Sequence, residues 1–123
     1  MAFHIEYIEN DGYILATFTG PITMPMVREY IAALLPVLEK TGCRKLLSDS
    51  VDAQLQVSAM DIMQFPKMAE ASPLTANLKR AVLASEGTSG YEMYETLSKM
   101  QGQFLELFTD RTEALQWLLS DEE

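Results

Sequence analysis

The 123-residue sequence holds a single cysteine, Cys43, and a single histidine, His4. One cysteine forms no internal disulfide, and one histidine with one distant cysteine does not make the ligand cluster that zinc sites need. No zinc or other cofactor is therefore expected. A Ser-His-Asp nucleophile system would have to run through His4, which lies among alternating residues of the first predicted strand and reads as a hairpin side chain half in solvent. Basic residues are also scarce: nine Lys and Arg stand against 18 Asp and Glu, a formal net charge of −9. Such a chain repels phosphate backbones and anionic headgroups, so nucleic acid and membrane surfaces are excluded as first choices of partner. The longest apolar run, Tyr30 to Leu38, contains Pro36 and falls well short of the ~20 residues that a membrane-spanning helix needs. The start, MAFHIEYIENDG, has neither a basic n-region nor an apolar h-region, and with the lone cysteine it predicts a cytoplasmic location.

What is present suits a packed core. Hydrophobic residues make up 48% of the chain and charged residues 22%, a balance expected of one globular domain, here residues 1–120, with the acidic DEE at 121–123 as a frayed tail. In FHIEYIE, Phe3, Ile5 and Tyr7 alternate with His4 and Glu6. After the turn signal Asn10-Asp11-Gly12 comes YILATFTG, rich in β-formers, which predicts an antiparallel hairpin. Thr23 can cap a helix with Val27, Tyr30, Ile31, Leu34 and Leu38 at helical spacing, ending near Gly42, with a kink expected at Pro36. KLLSD at 45–49 and KRAVLAS at 79–85 read as central parallel strands covered by helices on both faces. FLELF at 104–108 is a last strand, and RTEALQWLLS an amphipathic helix with Ala114, Trp117 and Leu118 on one side. Two further helices are expected at roughly 59–71, interrupted near Pro66, and 90–101, closed by Gly102. The order is β-β-α-β-α-β-α-β-α, an α/β fold with a mixed sheet.

Candidate chemistry is sparse. Asp49 and Asp52, expected just past the third strand, could hold a hard cation or act as an acid-base pair, although a pair at this spacing more often bonds nearby backbone amides in a turn. The loop EGTSG at 86–90 precedes a helix as a phosphate cradle would, but it lacks a Walker-type lysine and the GxGxxG pattern. Three helix starts share one grammar, an oxygen-bearing cap followed three residues on by a carboxylate: Ser58 with Asp61, Ser89 with Glu92, and Asp110 with Glu113. A cap of this kind contributes about 1 kcal/mol and accounts for Ser58 by itself. The second helix is unusual for its flexible, polarizable side chains, Met60, Met63 and Met68 with Phe65. They are either gap-fillers in the core or an adaptable apolar surface for a partner or ligand.

The element order, together with GYILATFTG, CRKLLSD, LQVSAMDIMQFP and the closing FTDRTEALQWL, resembles the STAS domain of the SpoIIAA-like, anti-sigma factor antagonist-like family. Its architecture is also similar to the lipid-binding half of CRAL-TRIO proteins. The resemblance implies a mixed sheet with an initial hairpin followed by stacked βα units, and regulation rather than catalysis. It further implies phosphorylation of a serine at the start of the second helix, in an Asp-Ser-Ser-Gly-like motif. Ser58 stands at that place, with Val57, Ala59 and Met60 where the motif has Asp, Ser and Gly. The leading expectation is a non-enzymatic domain that binds another protein, or a second copy of itself, through Ser58, Met60, Asp61, Met63, Phe65 and Met68, with Asp49 and Asp52 nearby. The alternative is binding or sensing of a small apolar, lipid-like ligand between that helix and the sheet. Exposed methionines would favour a partner, and an enclosed cavity would favour a ligand.

Overall fold

The computed structural model describes residues 3–85 and 89–120. Its elements are β1 (Phe3–Ile8), β2 (Tyr13–Ile22), α1 (Met24–Thr41), β3 (Lys45–Leu55), α2 (Ala59–Glu70), α3 (Pro73–Ala76), β4 (Lys79–Leu83), α4 (Ser89–Met100), β5 (Phe104–Phe108) and α5 (Arg111–Leu119). The five strands lie in the sheet in chain order, β1-β2-β3-β4-β5. The β1–β2 pair is antiparallel and every later pair is parallel. This is the mixed α/β sheet expected from the sequence, with α3 as an added helical turn.

A sheet that grows in one direction through crossovers of one hand carries all of its connecting helices on the same face. Side-chain alternation shows the result. Ile14, Ala16 and Phe18 of β2 and Leu46 of β3 pack with Met26, Leu34 and Leu38 of α1, while Val82 and Leu105 on the same face meet Tyr91 of α4. The neighbouring positions Leu47 and Ala81 point the other way, onto Ala114 and Leu118 of α5. The terminal helix therefore covers the face that the crossovers leave bare. Between β2 and β3 the register slips after Thr17↔Asp49, with Thr19 next pairing to Asp52, a bulge inside β3.

Several local expectations are corrected. Asp49 and Asp52 lie within β3, not beyond it, because the bulge lets the strand run on to Leu55. Pro66 does not interrupt α2, which is continuous from Ala59 to Glu70. Pro66 is buried, and its carbonyl accepts a hydrogen bond from Gln103 Nε2 at 2.9 Å, so a tertiary contact holds the turn that the missing N–H would loosen. Helix α1, for which the sequence predicts a kink and not a break, is continuous through Pro36, and the Ala32 carbonyl deprived of its donor belongs to an exposed residue. Strand β4 stops at Leu83, before Ser85. Gly42 closes α1 at φ +69°, in the left-handed region where a Cβ is disfavoured, and its N–H returns to the Leu38 carbonyl. Residues 86–88 of the EGTSG loop, the Ser89 side chain with its expected cap, and the 121–123 tail lie outside the described residues.

Candidate functional site

Helix α2 has two different sides. Its start is fixed by the Ser58 hydroxyl, which accepts from the Asp61 N–H at 3.1 Å, and by the Asp61 carboxylate, which accepts from the Ser58 N–H at 3.2 Å. This is the reciprocal capping box expected from the residues, and Asp110 similarly accepts from the Glu113 N–H at 3.4 Å at the head of α5. Beyond the cap, Met60 is 75% exposed and Met63 is 54% exposed. Phe65 and Met68 turn inward with Ile62 and Ala69, and the Phe65 ring meets the Tyr94 ring edge-on at 5.4 Å. The methionine group thus divides, two outside and one inside.

The inward residues wall a partly open cavity of about 120 Å³ between α1, α2, α3, α4 and the sheet. Phe18, Leu34, Phe65, Met68 and Val82 give it an apolar interior. A second set of lining residues is polar: Tyr30 from α1, Ser48 and Ser50 from β3, Arg80 from β4, and Tyr91 and Tyr94 from α4. The Arg80 Nη1 donates to the Tyr94 hydroxyl at 2.9 Å, its Nη2 donates to Gln103 Oε1, and the guanidinium lies near the Tyr94 ring face, 5.9 Å from its centroid. Among the described residues, the buried side-chain polar atoms without a hydrogen-bond partner include Arg80 Nε and the Tyr30 and Tyr91 hydroxyls, all on residues of this lining. Burial pushes the Tyr30 phenol far above its ordinary range, and Tyr94 adds to the shift. The Ser48 hydroxyl, outside hydrogen-bonding geometry, and the Arg80 charge pull the other way. Burial also raises the Tyr91 phenol, with Ser50 opposing.

The remaining sequence candidates do not join this site. Asp49 accepts from the Val51 N–H at 3.2 Å and pairs with Arg111 at 3.2 Å, on the α5 face. Asp52 is exposed, and its described contact is a carbonyl accepting from Gln54. His4 is an exposed residue of β1. No group of three His, Cys, Asp or Glu among the described residues could hold a metal ion. Sequence reasoning missed the polar lining because it took KRAVLAS as an apolar run. The signal it held was a charged residue at an inward position: Arg80 shares its face with Val82, two residues on.

No helix among the described residues is long and apolar enough to cross a membrane. The sequence matches no protein-family model and no curated protein. Two solved structures resemble it along nearly its whole length. One is an uncharacterized protein of the DUF3478 family with a SpoIIAA-like fold from Shewanella loihica PV-4, at a TM-score of 0.65 and 17% identity, over 95% of this chain and 92% of the other. The second is an anti-sigma factor antagonist from Mycobacterium paratuberculosis, at a TM-score of 0.67 and 17% identity, over 96% of this chain and 93% of the other. The likeness establishes the fold: the chain has the SpoIIAA-like, STAS-like architecture that its sequence suggested.

Proposed function

From a SpoIIAA-like fold with a two-sided second helix, we propose that the protein is a non-catalytic, cytoplasmic regulatory domain that docks another protein on the outer side of α2. The observation that carries this reading is the exposure of Met60 and Met63 beside a rigidly capped helix start. Large apolar side chains held in water at adjacent helical positions lower the desolvation cost of association, and the flexible thioether adapts to a partner surface. Similarity to an anti-sigma factor antagonist supports a protein as the occupant. The net charge of −9 favours one whose contact rim is basic. Ser58 and Asp61 would form the polar edge of the contact, while Asp49 is occupied by Arg111 and Asp52 alternates with Ala53 onto the α5 side of β3. A second copy of the chain is the competing occupant.

Photo-crosslinking separates them. A photoreactive methionine analogue placed singly at 60, 63 or 100 compares the α2 surface with Met100 of α4, which is 76% exposed and lies outside the proposed contact. The expected result is one protein crosslinked from 60 and 63 but not from 100, and lost in a Met60→Asp/Met63→Asp variant with an unchanged circular dichroism spectrum. Identical products from all three positions, or crosslinks only to the chain itself, would reject the reading.

A second reading rests on the inner side of the same helix. The cavity lined by Phe65 and Met68 is a partly open, mostly apolar cleft with a few polar groups, the character of a small-molecule site, which favours a bound ligand as an additional input.

A further inference from the structure

Among the described residues Arg80 is the one buried charged side chain, 7% exposed. Its two hydrogen-bond partners, Tyr94 and Gln103, are neutral. The described ion pairs join Lys99 to Glu95 and Glu106 and Arg111 to Asp49, so no described carboxylate neutralises Arg80. Burying an ion without a counter-charge is costly, and a guanidinium with an unpaired N–H on a residue that lines a cavity is a ready partner for a planar anion. The surrounding lining strengthens the point. Tyr30 and Tyr91 offer unpaired hydroxyls, Ser48 and Ser50 stand beside them, and no Asp or Glu among the described residues lines the cavity.

We propose that this cavity is a receptor site for a small monocarboxylate with an apolar body, its carboxylate accepting from Arg80 Nε and the tyrosine hydroxyls and its body lying against Phe18, Leu34, Phe65 and Met68. One guanidinium balances one negative charge, which selects a monocarboxylate over a phosphate ester of higher charge. The inner volume of about 120 Å³ suits an apolar body of roughly the size of a benzene ring, since a cavity of about 150 Å³ holds benzene. The inference rests on the second reading above, that the cavity binds a ligand, and adds the ligand's chemical class.

The test is titration of the full chain with hexanoate, hexan-1-ol and hexylamine, which share one apolar body and differ in the head group. Calorimetry gives the affinity and amide chemical shifts give the location. The expected result is hexanoate binding roughly tenfold or more tighter than hexanol, no detectable hexylamine binding, and shifts in α1, α2, α4 and the sheet face toward them. Tyr30→Phe should weaken hexanoate severalfold and leave hexanol unchanged. Arg80→Gln, if it folds, should abolish the preference for the acid. Equal binding of hexanoate and hexanol would overturn the carboxylate assignment while the ligand-cavity reading survives. Binding of neither, or shifts confined to surface lysines, would overturn both.

Discussion

Ser58 and Asp61 cap each other across the first turn of α2: the Ser58 hydroxyl accepts from the Asp61 N–H at 3.1 Å and the Asp61 carboxylate accepts from the Ser58 N–H at 3.2 Å, each satisfying a backbone N–H that the helix leaves without a partner. Replacing Ser58 with Ala removes one of these acceptors from a turn whose exposed methionines add little core contact. The expected loss is about 1 kcal/mol, read as a shift of the urea midpoint at constant slope. The cap also accounts for the serine without modification, so intact-mass analysis of protein from its native cell should find Ser58 unphosphorylated across growth conditions. A phosphorylated fraction, or a cellular phenotype of Ser58→Ala at unchanged stability, would show a signalling role beyond the cap.

How much of this was legible depends on the distance over which each feature is determined. The hairpin, β5, α5 and the caps at Thr23, Ser58 and Asp110 depend on residues a few positions apart, and their patterns stand in the sequence. The run of β3 through Asp52 depends on a bulge against Thr17 and Thr19 of β2, which alternation cannot reveal. Helix α3 is a turn capped by Ser72 and closed by the Thr75 hydroxyl on the Ala69 carbonyl, too short for periodicity to register. The cavity is hardest to foresee: Tyr30, Ser48, Arg80 and Tyr91 lie on four different elements, and only the sheet brings them together. Met63 and Met68 share one helix and one residue type, and a separation of five residues, about 140° around the helix axis, gives them different surroundings.

Lys45 and Lys79 occupy paired positions at the starts of β3 and β4, and both reach the last turn of α5, which has no basic residue of its own. Lys79 Nζ donates to the Trp117 and Ser120 carbonyls at 2.6 and 2.9 Å and sits 4.6 Å from the Trp117 ring centroid. Lys45 Nζ donates to the Leu119 carbonyl at 3.4 Å. The sheet therefore caps the negative end of the helix that covers it. Lys79→Met keeps the aliphatic stem but loses this charge. It should cost about 1–2 kcal/mol, with faster amide exchange confined to α5 as the signature that separates it from a general loss of packing.

Two tyrosines facing the cavity should respond to the same substitution in opposite directions. Tyr94→Phe removes the acceptor of Arg80 Nη1 and leaves a buried charged donor unpaired, an expected loss of about 1–3 kcal/mol. Tyr30→Phe removes a buried hydroxyl with no partner and retains the edge-on packing of the ring on Phe3 and Phe18 at 5.7 and 4.8 Å. In ligand-free protein it should raise stability by about 1 kcal/mol. Parallel urea titrations check both, and a loss on Tyr30→Phe would mean that the hydroxyl is already satisfied in solution.

The alkaline limb of stability follows from the same hydroxyl. An exposed tyrosine in the unfolded chain ionises near pH 10, whereas burial keeps the Tyr30 phenol, and to a smaller degree the Tyr91 phenol, protonated to higher pH in the folded chain. Above about pH 10 the folded state then binds more protons than the unfolded state, so the slope of unfolding free energy against pH is negative. The contribution is complete below the unfolded value and is lost as pH rises toward the folded one. Unfolding free energies measured from neutral pH upward should fall beyond about pH 10, and Tyr30→Phe should make that fall shallower while leaving the neutral plateau level. An unchanged alkaline slope in the variant would place the controlling ionisation elsewhere, and Tyr91→Phe is the next substitution to compare.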